Sequence, residues 1–376
     1  MMPAYLPVID LATLNGANGF QISGAAADDL SGARSPRRRS VSSAGDINGD
    51  GFDDVIIGAT GAQANDTPYS GARYVVFGKA RGFSSNLNLS ALNGANGFAI
   101  GGDVWFDYSG NSVSSGGDIN GDGFDDVIVG AKAADANGLN SGASHVVFGT
   151  AGGFSSNLNL SALNGANGFQ ITGEAADDDS GRSVASAGDL NGDGFDDFII
   201  GASGVGPNGA QSGASYVIFG KADGFSAEVN LSTLNGANGF QISGEAPFDY
   251  VGWSVAAAGD VNGDGFDDLI LGAKGADTTN GTSFGYSYVV FGKAGGFGPN
   301  LDVSALDGAS GFQITGAAEY DVSGWSVASA GDLNGDGSTT WSSGQSGPTR
   351  TAMAPARPTW CSARREDFRP TSISRP

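Results

Sequence analysis

The sequence predicts an all-β fold, a β-propeller built of four-stranded blades. Three observations predict it. Acidic loops of one text begin at Asp46, Asp118, Asp189, Asp260 and Asp332, spaced 72, 71, 71 and 72 residues apart, a period that has room for several strands and points to propeller blades more than to a solenoid. Each period holds short runs of β-branched and aromatic residues bounded by Gly, Asp or Asn. Gly makes up 65 of 376 residues, well above the usual ~7%, with no three-residue repeat. Helices tolerate so much Gly poorly, whereas turns and bulges need it.

A second repeated text, Leu-x-x-Leu-(Asn/Asp)-Gly-Ala-(Asn/Ser)-Gly-Phe, ends at Phe20, Phe98, Phe169, Phe240 and Phe312. Within the third period, four strands are expected. They are Ser183 to Ala187, Phe198 to Gly201, Ser215 to Phe219, and Gly239 to Ile242, the last equivalent to Gly168 to Ile171. A lone four-stranded sheet cannot bury both faces, but blades stacked around an axis can. The propeller region is expected over 1–337, with blades at about 40–101, 112–173, 183–244 and 254–316 and a partial blade at 325–337. The first period is longer by an insert, Ala33 to Arg38, whose Arg34, Arg37 and Arg38 beside Arg39 form a basic cluster. It reads as an exposed loop extension.

The formal net charge of −22 argues against nucleic acid or an anionic membrane surface as partner and suits a protein that binds cations. No run of apolar residues is long enough to span a membrane. The segment Met1 to Leu14 lacks the basic and apolar regions of a signal peptide. With one cysteine, Cys361, no disulfide can form within the chain, so cysteine usage does not name the compartment.

The acidic loops carry the chemistry. Numbered from the first Asp, positions 1, 3, 5, 7 and 9 are Asp46, Asn48, Asp50, Phe52 and Asp54 in the first loop. They are Asp118, Asn120, Asp122, Phe124 and Asp126 in the second, and Asp189, Asn191, Asp193, Phe195 and Asp197 in the third. In the fourth they are Asp260, Asn262, Asp264, Phe266 and Asp268. Ca²⁺ takes mixed carboxylate and carbonyl oxygens, and side chains at 1, 3 and 5 converge when a loop curls around an ion. The Phe carbonyl and the position-9 carboxylate would complete the set, and Gly at position 6 permits the turn. Without a cation three close carboxylates would repel. An EF-hand is excluded, because position 12 is Ile57, Val129, Ile200 or Leu271 in place of Glu, and the flanks read as strands. The fifth loop offers Asp332, Asn334 and Asp336 but no Asp at position 9, so weak or absent binding is expected there.

At these residues the chain resembles the FG-GAP repeats of integrin α-subunit propellers. The match is Gly324-Trp325-Ser326-Val327 followed by Gly331-Asp332-Leu333-Asn334-Gly335-Asp336-Gly337, with the same frame at Gly110, Gly181 and Gly252. The closing Gly-Ala-Pro of those repeats appears as Gly58-Ala59-Thr60 and its equivalents, without the Pro. The resemblance implies a propeller that holds Ca²⁺ in hairpin loops at one rim and serves adhesion or ligand binding. That places it outside the cell or at its surface.

After Gly337 the pattern stops. A back-translation of Ser338 to Gln345, read with one base restored ahead of it, gives Phe-Asp-Asp-Leu-Val-Ile-Gly-Ala, the text of the other blades. Residues 338–376, with six Arg against two acids, therefore read as an aberrant tail, out of frame or disordered. The chain's two ends could between them complete a fifth blade, or the array could be part of a larger one.

No catalytic set can be assembled. His145, the only histidine, stands where other blades carry Tyr74, Tyr216 and Tyr288. A non-enzymatic module with a protein or carbohydrate ligand on one rim is expected. The alternative is an accessory repeat region of a larger secreted enzyme, such as a phospholipase or a polysaccharide-degrading protein.

Overall fold

The computed structural model describes residues 10–26, 40–62, 71–102, 107, 109–278, 282–318, 320–331, 339–344 and 359–362. The Arg-rich insert and the fifth acidic loop lie outside them. The described residues form strands and three-residue 3₁₀ turns, with no α-helix among them.

The third blade shows how the sequence builds each sheet. Its strands are Ser180–Gly188, Asp197–Ala202, Ala214–Ile218 and Gly239–Ser243, each antiparallel to the one before. Val184 pairs with Ile200, Ile200 with Tyr216, and Val217 with Phe240. The second and third strands are buried along their whole length. This is why Phe198-Ile199-Ile200 does not alternate with polar residues: a neighbouring sheet covers each face. The same four-strand order recurs in Val41–Gly45, Asp54–Ala59, Ala72–Val76 and Gly97–Gly101. It recurs again in Ser112–Gly117, Asp126–Ala131, Ala143–Val147 and Gly168–Thr172. The fourth blade is Val251–Gly259, Asp268–Ala273, Tyr286–Val290 and Gly311–Thr315.

Three of these sheets gain a fifth strand that the sequence reading did not anticipate. The connection between the third and fourth strands of one blade runs parallel along the outer strand of the blade before it. Asn157–Asn159 lies on Gly97–Gly101, Glu228–Asn230 on Gly168–Thr172, and Asn300–Asp302 on Gly239–Ser243. Each outer edge is thereby covered rather than left as a template for association. A 3₁₀ turn follows at once, capped by the preceding residue: Asn159 Oδ1 accepts the Ser161 N–H at 3.0 Å. The repeated text then delivers its Phe to the seam between blades. Phe169 is fully buried, and its ring stacks on Phe225 at 4.3 Å, as Phe98 does on Phe154 and Phe240 on Phe297, both at 4.2 Å.

The first strands converge on an axial channel of 590 Å³ lined by Ser42, Ser114, Ala185, Ala256 and Ala328 among others. Serines join one blade to the next. Ser40 Oγ accepts from Val113 N at 3.0 Å, and Ser112 Oγ from Val184 N at 3.0 Å. Ser183 Oγ donates to the Gly252 carbonyl at 2.9 Å, and Ser254 Oγ to the Gly324 carbonyl at 2.9 Å.

At the ends, Gln21–Ser23 pairs in parallel with Asn86–Asn88. Ser326–Gly331, Thr340–Gly344 and Thr359–Ser362 form a three-stranded antiparallel sheet. The last two strands lie beyond the point where the repeat text ends. Gly331 pairs with Thr340 as Gly259 pairs with Asp268. Among the described residues no pairing joins Gln21–Ser23 to Thr359–Ser362, so the sheets do not close.

Replacing Phe169 by Ala removes a fully buried ring and its stacking contact with Phe225. Unfolding is expected to be easier by about 3–5 kcal/mol, read as a lower midpoint in chemical denaturation.

Candidate metal centre

Each acidic loop lies between the first and second strands of its blade, so all four share one rim. In the second loop, Asp118 Oδ1 accepts the Asp122 N–H at 3.0 Å and Oδ2 accepts the Gly123 N–H at 2.8 Å. Asn120 Oδ1 accepts from Asp122 N at 2.9 Å, and its amide donates to Asp122 Oδ2 at 3.0 Å. Asp122 Oδ1 accepts the Phe124 N–H at 3.0 Å. The same net holds Asp46, Asn48 and Asp50. It also holds Asp189, Asn191 and Asp193 and Asp260, Asn262 and Asp264. Short Asx side chains favour such local turns. Two left-handed glycines allow the curl, Gly121 at φ +73° and Gly123 at φ +88° in this loop. Sequence reasoning singled out only the second of them.

Position 9 is set differently. Asp126 begins the second strand and is fully buried. Its Oδ2 accepts the N–H of Ile119 at 3.0 Å and its Oδ1 the N–H of Gly149 at 2.9 Å. Asp197 is held the same way by Leu190 and Gly220, and Asp268 by Val261 and Gly292. In the first loop Asp54 Oδ1 accepts from Gly78 N at 2.7 Å, and the Ile47 N–H also interacts with this carboxylate. Thus this carboxylate ties the loop to the end of the third strand, a role that sequence reasoning missed.

Burial pushes these carboxyls well above the usual range. Asp126 and Asp197 rise to about 8, Asp54 and Asp268 to about 7. The backbone N–H groups oppose the rise, and the negative charges of positions 1 and 5 add to it. No ion pair among the described residues involves a loop carboxylate; both pairs are made by Asp179, with Lys132 and Arg182.

The structure therefore joins positions 1, 3 and 5 in one net, closes it through the N–H of position 7, and sets position 9 beneath. Among the described residues no three His, Cys, Asp or Glu side chains gather at one point as a ready metal site. The donors suit a hard cation nonetheless: all are oxygens, carboxylate, amide and carbonyl together. Of the fifth loop, Asp332, Asn334 and Asp336 lie outside the described residues, and Thr340 occupies the place of the buried Asp.

His145 and the aromatic Trp253 fall into the framework. His145 lies in the third strand of its blade, opposite Val129 and Gln170. The Trp253 ring carries the Arg182 guanidinium and the Lys274 ammonium, each at 3.2 Å.

Comparison with known proteins places these loops in a family. The FG-GAP repeat model matches residues 39–76, 109–147, 180–218 and 251–290, each span covering the first three strands of a blade and its loop. Integrin alpha pat-2 of Caenorhabditis elegans is 31% identical over 246 residues, covering 61% of this chain and 17% of that protein. Integrin alpha-V of Gallus gallus is 30% identical over 241 residues, covering 62% of this chain and 20% of that protein. Phosphatidylinositol-glycan-specific phospholipase D of Bos taurus is 33% identical over 160 residues, covering 42% of this chain and 17% of that protein. The chain thus spans a fifth or less of the length of these relatives.

Truncating Asp126 to Ala strands two buried N–H donors, those of Ile119 and Gly149. At about 1–3 kcal/mol for each unsatisfied group, a loss of several kcal/mol is expected in urea unfolding. Asp122→Ala, at an exposed position, is expected to cost far less.

Proposed function

Since the chain belongs to the FG-GAP repeat proteins and is integrin α-like over its four matched repeats, we propose that it is a calcium-binding, non-enzymatic module that binds a protein partner outside the cell or at its surface. The observation that carries the calcium reading is a fourfold one. Each loop sets one exposed carboxylate, one half-buried carboxylate and an Asn oxygen above a buried carboxylate that makes no ion pair among the described residues. The residues that would hold the ion are Asp46, Asn48, Asp50, Asp54 and the Phe52 carbonyl, with their counterparts in the next three loops. When bound, the ion supplies positive charge that the chain itself does not provide. The chain's own residues supply the frame: the Asx net holds the loop curled, and the position-9 carboxylate pins it to the third strand.

A partner surface is proposed on the opposite rim. There the segments entering the first strands carry paired left-handed residues around a buried Asp. Phe248 and Tyr250 stand at φ +67° and +59° around Asp249, Tyr320 and Val322 at +64° and +53° around Asp321. Such backbone strain concentrates at functional sites. It holds Phe248 and Tyr320 outward, 54% and 47% exposed. Exposed aromatics on rigid turns favour a protein ligand. The phospholipase D relatives support a second reading, an accessory repeat region within a larger secreted enzyme. A catalytic domain in the same intact gene product, and loss of its activity on deleting these repeats, would select that reading.

Calorimetric titration should find four Ca²⁺ sites, and the melting temperature should rise in Ca²⁺ and fall in chelator. Indifference of melting to Ca²⁺ would sink the calcium reading. The pH dependence follows from the raised carboxyls. Between the ordinary value of 3.8 and about 8 the folded state binds more protons than the unfolded one. In chelator, stability should therefore fall as pH rises through that window. Saturating Ca²⁺ should flatten or reverse the slope, measured by thermal melts from pH 4 to about 8.

A further inference from the structure

The Asp at position 8 of each loop reaches the loop of the preceding blade. Asp125 Oδ2 accepts the backbone N–H of Asp46 at 2.7 Å. Asp196 Oδ2 accepts that of Asp118 at 2.8 Å, and Asp267 Oδ2 that of Asp189 at 3.1 Å. In every case the residue held is position 1. Two further contacts recur at the same three seams. The position-7 ring packs against the position-4 Gly of the preceding loop, Phe124 on Gly49, Phe195 on Gly121 and Phe266 on Gly192. The carbonyl of position 2 accepts an N–H from just past the following blade's third strand: Thr150 to Ile47 at 2.9 Å, Lys221 to Ile119 at 2.9 Å, Lys293 to Leu190 at 3.0 Å.

The front half of each loop is thus framed by the next blade. Resting on the calcium reading above, we infer that the position-8 Asp is a positioning residue for the cation of the preceding blade, so that each loop's affinity is set across the seam. Its hydrogen bond holds the backbone of the position-1 ligand, and its carboxylate adds negative charge beside that loop. Partners that orient metal ligands in this way control affinity nearly as strongly as the ligands do. The fourth loop differs. The residue against Gly259 is Thr339, where the carboxylates of Asp125, Asp196 and Asp267 stand against Gly45, Gly117 and Gly188. Lacking that charge, the fourth loop is the weakest of the four.

The test reads one loop at a time in the full chain. Phe52→Trp, at a partly exposed ring, places a sensitiser in the first loop, so Tb³⁺ luminescence gained over the parent protein reports that loop and Ca²⁺ competes for it. In this background Asp125→Ala, in the second loop, should weaken Ca²⁺ competition about tenfold or more. Asp53→Ala, inside the first loop itself, should leave it where it was. Asp125→Asn retains an oxygen for the Asp46 N–H and should recover part of the loss, which a purely packing role would not show. Circular dichroism checks that each variant folds. If Asp125→Ala does not fold, Asp125→Asn against Asp53→Asn carries the comparison. Equal effects at positions 53 and 125, or none at 125, overturn the inference while leaving calcium binding intact. Failure of the Phe52→Trp chain to take up either ion overturns the calcium reading itself, and this inference with it.

Discussion

The central strands of each blade are apolar on both faces, and in the second, third and fourth blades a neighbouring sheet covers each face. Ile199 and Val217 pack toward one neighbour, Phe198, Ile200 and Tyr216 toward the other. A fully buried side chain of this size contributes about 1.5–3 kcal/mol, whereas a hydrogen bond nets about 0.5–1.5 kcal/mol. The seams therefore hold the array together, and its register is set by the serine hydrogen bonds at one end of the sheet and by the Phe stacks and parallel edge strands at the other.

The acidic rim grows out of this packing. The second strand must start where the blade is already buried, and it starts with an Asp. That carboxylate satisfies the N–H groups of position 2 and of the third strand's end, so it is a structural pin as well as a candidate ligand. Burial then makes its charge expensive. The arrangement recurs four times, and among the described residues no ion pair involves a loop carboxylate.

The opposite rim has a different character. Its segments are held by left-handed residues around a buried Asp, and they present Phe248 and Tyr320 in two cases and Asp177 and Asp179 in a third. Rigid loops displayed at the end of a stacked scaffold suit recognition of another macromolecule. Nothing comparable to a nucleophile with its base is brought together among the described residues.

Period, strand positions and the loop text were legible in the sequence because each depends on local rules. Gly marks the turns, β-branched runs mark the strands, and Asx side chains close short hydrogen-bonded loops on themselves. The parallel edge strand was not legible, since Asn157-Leu158-Asn159 is too short and too polar to read as a strand until a neighbouring blade offers its edge. The same holds for Asp125, Asp196 and Asp267. Within their own loops they are spare acids, and only the stacking of blades turns them toward the position-1 backbone of the loop before. Residues beyond Gly337 follow no repeat text, yet Thr340–Gly344 and Thr359–Ser362 pair as strands. Backbone pairing there is templated by Ser326–Gly331 and asks less of side-chain identity. The sequence by itself determined the blade and its loop. The tertiary structure decided what each blade does for the next, because those contacts join residues about 70–80 positions apart and exist only once the sheets are stacked.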